Sequence, residues 1–131
     1  MRAELLDYIG TLNLGGFILS QELPWEESET PLYLKNLKKI YVSVTEFQTE
    51  PLIQTLNGGN VNNEISIVRI YFSCDAKQLP ANYDDVVADI REGKNVVTDD
   101  GFTNRQCDVT TDLTNDVLTT TMEFRFTKLT T

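Results

Sequence analysis

The chain has 131 residues, with twenty acidic and eleven basic side chains, a formal net charge of −9 and no histidine. This acidity argues against direct binding to a nucleic-acid backbone, which requires a basic surface. The lack of histidine removes the usual general base, the usual nitrogen metal ligand and every Ser–His or Cys–His relay. We therefore expect a non-enzymatic protein without a cofactor or a metal, folded as a single domain over residues 1–131.

The sequence also bears on where the protein acts. No apolar run is long enough to span a membrane, and the amphipathic N-terminus does not resemble a signal peptide, so we expect cytoplasmic synthesis without export. The acidity has two interpretations. It provides ordinary solubility, or it forms a surface that faces DNA without holding it or that imitates DNA.

Apolar residues at helical spacing predict a first helix over Arg2–Leu12, and the turn residues that follow end it. Phe17–Ser20 predicts a short strand at a sheet edge. Gln21–Pro31 contains two prolines and four glutamates, which predicts an irregular surface segment with Trp25 as its anchor. The alternative is that Trp25 is an exposed contact for a partner.

The longest run of strand-forming residues, Glu64–Cys74, predicts the central strand. One face of this strand is wholly apolar and the other is mixed, so we expect packing on both sides of the sheet. Lys39–Phe47 predicts a second strong strand, and Pro51 after it indicates an edge or a break. The Gly- and Asn-rich stretch Thr55–Asn63 predicts an antiparallel hairpin with a projecting loop.

The second half of the chain predicts one helix and two strands. Asn82 is expected to cap a helix that begins at Tyr83 and stops at Gly93. Arg105–Leu113 and a last strand ending at Phe126 alternate cleanly and predict a hairpin with one face in solvent or on a partner. The order of elements predicts an α+β fold, a mostly antiparallel sheet of about five strands flanked by two short helices.

Few charged or reactive side chains need a special explanation. Arg69 lies on the mixed face of the central strand and requires a partner, for which Glu46, Glu64 and Glu123 are candidates. Asp108 and Asp112 would share a strand face about 13 Å apart, at roughly 3.3 Å per residue, which is too far for one metal site. Cys74 and Cys107 fall on apolar strand faces and are read as small buried hydrophobes, with a disulfide or a metal pair as the alternative.

The layout resembles the tail terminator (tail completion) proteins of long-tailed, lambda-like bacteriophages. The resemblance covers nearly the whole chain and begins with the small amphipathic N-terminal helix. It continues with Ile40–Val44, which leads through a polar hairpin into Ile65–Cys74, and with the helix Tyr83–Arg91 after a proline-containing linker. It ends with the terminal hairpin and its last residues, Thr121–Phe126.

The resemblance implies a virion protein at the head-proximal end of the tail, made in the host cytoplasm. It would form a homo-hexameric ring that caps the tail tube, stops its polymerisation and offers a surface to the head-completion or neck protein. A ring requires a heterologous, closing interface, and an acidic lumen would let DNA pass without specific binding. The predicted partner or subunit contacts are Trp25, Gln54, Leu56, Asn57, Asn60, Arg69, Glu123 and Arg125.

Two other functions remain open from the residues. A small acidic inhibitor would mimic DNA and occupy a nuclease or a repressor, and a different phage neck or adaptor protein would share the layout. A mimic needs acids spaced like phosphates along one surface. This sequence instead spreads its acids through loops, a helix start and one strand face, which favours the ring.

Overall fold

The structure, a computed structural model, describes residues 1–25, 30–54, 59–96 and 101–130, without the side chains at positions 53, 54, 60, 104 and 105. Within these ranges there are three α-helices, namely α1 (Arg2–Gly10), α2 (Leu32–Lys35) and α3 (Tyr83–Arg91). There are six strands, namely β1 (Ile18–Leu19), β2 (Lys39–Val42), β3 (Glu46–Gln54), β4 (Asn60–Asp75), β5 (Thr103–Thr114) and β6 (Val117–Thr130). None of these helices is long and apolar enough to cross a membrane.

All six described strands join one sheet in the order β1-β2-β4-β6-β5, and β3 also pairs with β4. Only the pairing of β1 with β2 is parallel, and the other pairings are antiparallel. The predicted α+β class with a mostly antiparallel sheet is confirmed. The sheet has one strand more than expected, and α2 is a helical turn in addition to the two predicted helices.

The central position of β4 is confirmed by its neighbours. One side of β4 pairs with β6 from Asn62 to Asp75. The other side pairs first with β3 and then with β2. At 16 residues β4 is the longest of these strands, because its β-branched and aromatic run contains no glycine or proline that would end it.

One face of the sheet, the helix face, packs against α1 and α3. Alternate residues of β4 on this face are almost fully buried, and they are Val68, Ile70, Phe72 and Cys74. They contact Leu5 and Ile9 of α1 and Val86 and Ile90 of α3 in one continuous core. Two-residue periodicity in the strand and 3.6-residue periodicity in the helices thus place the apolar side chains of β4 against the apolar side chains of α1 and α3.

The opposite face, the open face, carries Ile67, Arg69 and Tyr71 of β4, and only part of it is covered. Trp25 and α2 lie over β2 and the adjoining part of β4. Tyr41 is consequently fully buried there, and its hydroxyl accepts a hydrogen bond from the Asn36 amide at 3.0 Å. The expectation of packing on both sides of β4 is therefore correct at this end of the sheet.

The predicted strand Lys39–Phe47 is wrong as a single element, because the chain leaves the sheet between Val42 and Glu46. At Ser43 the backbone N–H donates to the Arg69 carbonyl at 2.8 Å, while the Ser43 hydroxyl accepts from the Arg69 N–H at 2.9 Å. The Ser43 hydroxyl thus takes the place of a backbone carbonyl as the acceptor for the Arg69 N–H, and the regular hydrogen-bond ladder between β2 and β4 ends there. Val44, expected on a shared strand face with Ile40 and Val42, is 54% exposed.

Two local predictions about chain ends have opposite outcomes. The hairpin between β5 and β6 is confirmed, with Asn115 and Asp116 both at positive φ (52° and 62°), as a two-residue type I′ turn requires. Asn82 is the N-cap residue of α3, as predicted, but the capping hydrogen bond expected of its side chain is absent. That amide instead lies against Gly15, where an added Cβ would come within 1.6 Å of the Asn82 nitrogen.

Candidate interaction surface on the open face

Three aromatic rings cluster on the open face. Tyr33 stacks on Tyr71 with ring centroids 4.8 Å apart, and Trp25 meets both rings edge-on at 5.6 Å and 5.7 Å. Edge-to-face and offset-stacked arrangements are the ones that the ring quadrupole favours. Burial raises the pKa of the Tyr71 and Tyr33 hydroxyls, whereas Trp25 remains 54% exposed. The cluster therefore fixes an indole ring at the surface.

Arg69 lies beside this cluster between two carboxylates. Its Nη1 atom is 2.8 Å from Oε1 of Glu46, and its Nε atom is 3.9 Å from Oε2 of Glu123. Two of the three predicted partners of Arg69 are thus correct. Glu64 is not a partner, because its carboxylate accepts hydrogen bonds from the hydroxyls of Thr49 and Thr130.

A cleft of about 220 Å³, here called the Trp25 cleft, separates the aromatic cluster from this ion pair. Its apolar walls come from Trp25, Pro24, Leu23 and Val44, and Arg69 and Glu46 lie at its polar end. Leu23, Trp25 and Val44 are between 42% and 54% exposed. A second, wider groove of about 470 Å³ lies on the other side of Tyr33, against the turn between β5 and β6.

The open face also carries a pair of like charges. Asp108 of β5 lies directly opposite Glu123 of β6, and Glu123 lies opposite Arg69 of β4. Like charges at directly opposed positions of two strands destabilise a sheet. The row from Asp108 through Glu123 and Arg69 to Glu46 therefore holds three acids and one base.

The predicted contact residues fall into three groups. Trp25, Arg69, Glu123 and Arg125 all lie on the open face, since Arg125 follows Glu123 by two residues along β6. Gln54 and Asn60 form the last residue pair of the β3–β4 ladder, at a distance from the cleft. Leu56 and Asn57 lie outside the described residues. The structure thus brings together four of the eight predicted residues.

Sequence reasoning missed the residues that shape the cleft and the sheet extension next to it. Val44 was placed in a regular strand, and Tyr33 was assigned no role. Every described side chain of β3 is exposed, including Phe47 at 68% and Leu52 at 49%. The lack of strict apolar alternation in this segment was the available signal, since a strand with a buried face shows that alternation.

No group of three or more acidic or cysteine side chains in the described ranges is placed to hold a metal ion. Cys74 and Cys107 are free and buried, as expected, and burial raises the pKa of the Cys107 thiol to about 11. A thiol in this state is protonated and unreactive at neutral pH.

Comparison with known proteins adds no relative to this picture. No protein-family model matches the chain, and no curated protein matches it significantly. The surface itself is therefore the basis for assigning a function.

Proposed function

We propose that this chain is a structural, non-enzymatic protein of a long-tailed bacteriophage, which forms a ring on the finished tail tube. The ring stops tube polymerisation and offers a surface to the head-completion or neck protein. The observation that carries the proposal is a folded body with a large exposed contact surface. The Trp25 cleft and strand β3, whose described side chains are all exposed, lie next to each other along one edge of the sheet.

The extended part of the sheet supports the assembly role. Beyond the buried core, β3 pairs with the first half of β4, and the last residues of β6 pair with the same segment. This extension exposes Phe47 on the helix face, and Leu129, at 67% exposed, on the open face. Exposed apolar residues on both surfaces of an ordered projection are typical of a site that another protein covers. We assign the contact with the tube to this extension.

The charge distribution supports a ring through which DNA passes. The chain carries a net charge of −9. The row of charges across the open face is also net acidic, with three acidic side chains and one basic side chain. An acidic inner wall repels the DNA backbone, so that DNA moves through the ring without binding.

The experiment is to polymerise tail tubes with and without the protein and to image them by electron microscopy. We expect a ring at one end of each tube and an end to growth once the protein is added. A variant that lacks residues 57–60 is expected to keep the thermal stability of the wild type and to cap fewer tubes. Tubes that continue to grow without a terminal ring would contradict the proposal.

A DNA-mimicking inhibitor is the second candidate, and the opposed acids Asp108 and Glu123 favour it. A mimic binds a basic protein through charge, so its affinity falls steeply as the Debye length shortens from about 10 Å at about 0.1 M salt to about 4 Å at about 0.5 M. Binding to a DNA-binding protein only at the lower salt, with no capping of tubes at either salt, would select the mimic.

A further inference from the structure

The turn between α2 and β2 together with the first residue of β2, Leu37–Lys39 (here called the lysine turn), lies next to the short strand β1, whose Ile18 N–H donates to the Lys38 carbonyl at 2.8 Å. Leu37 is 41% exposed, and the side chains of Lys38 and Lys39 are exposed. Neither lysine side chain makes a salt bridge within the described ranges. The turn therefore presents one apolar side chain next to two positive charges.

The backbone holds the lysine turn in a fixed shape. Lys38 has a φ of 69°, in the left-handed region that side-chain-bearing residues rarely adopt. Its N–H donates to the carbonyl of Ser73 on β4 at 2.7 Å. The sheet thus holds the turn in one conformation, and left-handed conformations of this kind occur frequently at functional surfaces.

The Trp25 cleft has the complementary chemistry. Leu23, Pro24 and Val44 provide an apolar pocket for a leucine side chain. The exposed indole of Trp25 attracts a cation over its ring. At the polar end, one guanidinium is shared by the carboxylates of Glu46 and Glu123, which leaves one negative charge in excess. The Glu46 side chain is 49% exposed and accessible to a second cation.

We infer that the Trp25 cleft of one copy receives the lysine turn of a second copy. Leu37 enters the apolar part of the cleft, and Lys38 and Lys39 approach Trp25 and Glu46. The turn and the cleft lie near opposite ends of β2, so each copy uses two different surfaces. A heterologous contact of this kind produces a closed ring or a filament rather than a twofold dimer. The inference rests on the proposed function, because it supplies the subunit contact of the ring.

Two variants test the contact from its two sides. Lys38→Glu/Lys39→Glu reverses the charge of the lysine turn and leaves the cleft intact. Trp25→Ala removes the indole from the cleft and leaves the lysine turn intact. Each variant alone should remain monomeric by light scattering and native mass spectrometry, whereas the wild type assembles. Mixed in equal amounts, the two variants retain one functional contact per pair and should give a twofold increase in mass, to a heterodimer and nothing larger.

The controls separate a lost contact from a lost fold. Arg91→Glu/Lys94→Glu makes the same change of charge on the helix side of the molecule and should assemble like the wild type. Circular dichroism verifies that each variant is folded, and Val44→Asp replaces Trp25→Ala if the latter does not fold. Trp25 is the single tryptophan, so its acrylamide quenching should decrease on assembly of the wild type and stay unchanged in the lysine-turn variant.

The results distinguish this contact from the proposed function. Folded single-surface variants that still assemble, or that fail to form a heterodimer when mixed, would overturn the contact. A wild-type chain that remains monomeric at its highest soluble concentration would overturn it as well. If that monomer nevertheless stops tube growth, the proposed function stands without this contact. If the wild type assembles through the contact but tubes continue to grow, the contact stands and the proposed function fails.

Discussion

The two faces of the sheet are built from the same strands but differ in burial and in charge. On the helix face, Phe72 and Phe124 are fully buried in one apolar core. On the open face, the corresponding positions of β4 and β6 carry Arg69 and Glu123, which remain partly exposed; Arg69 pairs with Glu123 and with Glu46. Burial stabilises the first face, whereas the second keeps charged and aromatic groups accessible at some cost in stability. The difference indicates that the helix face maintains the fold and the open face is available for contact.

The largest expected effect is on the helix face. Phe72→Ala and Phe124→Ala should each lower the free energy of unfolding by about 3–5 kcal/mol, because each empties an aromatic site in a packed interior. Phe47→Ala is the matched control, since Phe47 lies on the same face but is 68% exposed, and it should change stability by less than about 0.5 kcal/mol. Denaturant titration measures all three. Losses below about 1 kcal/mol for both buried positions would show that the core lies elsewhere.

The second effect is a loss of stability in alkaline solution. Burial raises the pKa of the Cys107 thiol from 9.0 to about 11. A folded-state pKa above the unfolded one stabilises the protein fully below about pH 9, and this contribution is lost as the pH rises towards about 11. A shift of this size corresponds to about 3 kcal/mol.

The Cys107→Ala variant isolates this contribution. Its stability should decline less between about pH 9 and pH 11 than that of the wild type, although burial also raises the pKa of Tyr71 and Tyr83 in both proteins. The readout is the difference between the two unfolding curves at each pH. A difference that does not change with pH would contradict the burial of the thiol.

The smallest effect should have the opposite sign and belongs to the open face. Asp108→Lys removes the like-charge pair with Glu123 and should stabilise the isolated subunit by about 0.2–1 kcal/mol. Asp112→Lys is the matched control, because Asp112 lies opposite the uncharged Thr119. Thermal unfolding at low salt compares the two variants. Equal effects would mean that general charge, rather than the opposed pair, controls stability on this face.

The sequence by itself determined the elements whose patterns are strictly periodic. Alternation along Val68, Ile70, Phe72 and Cys74 identified the buried face of β4, and the helical stripe of Val86 and Ile90 identified the buried side of α3. The turn at Asn115–Asp116 followed from residues that accept positive φ. In each case the residues that form the pattern are close together in the chain. Their local conformation and their burial therefore predict the same structure.

Only the tertiary structure decided how the open face is arranged. The break at Ser43 depends on hydrogen bonds with Arg69, 26 residues away in sequence, and the capping bond expected of Asn82 is replaced by a contact with Gly15 on a distant loop. The choice of Glu46 and Glu123 over Glu64 as partners of Arg69 depends on strand register. Periodicity along the chain does not carry this information, because register and loop placement follow from long-range pairing and packing.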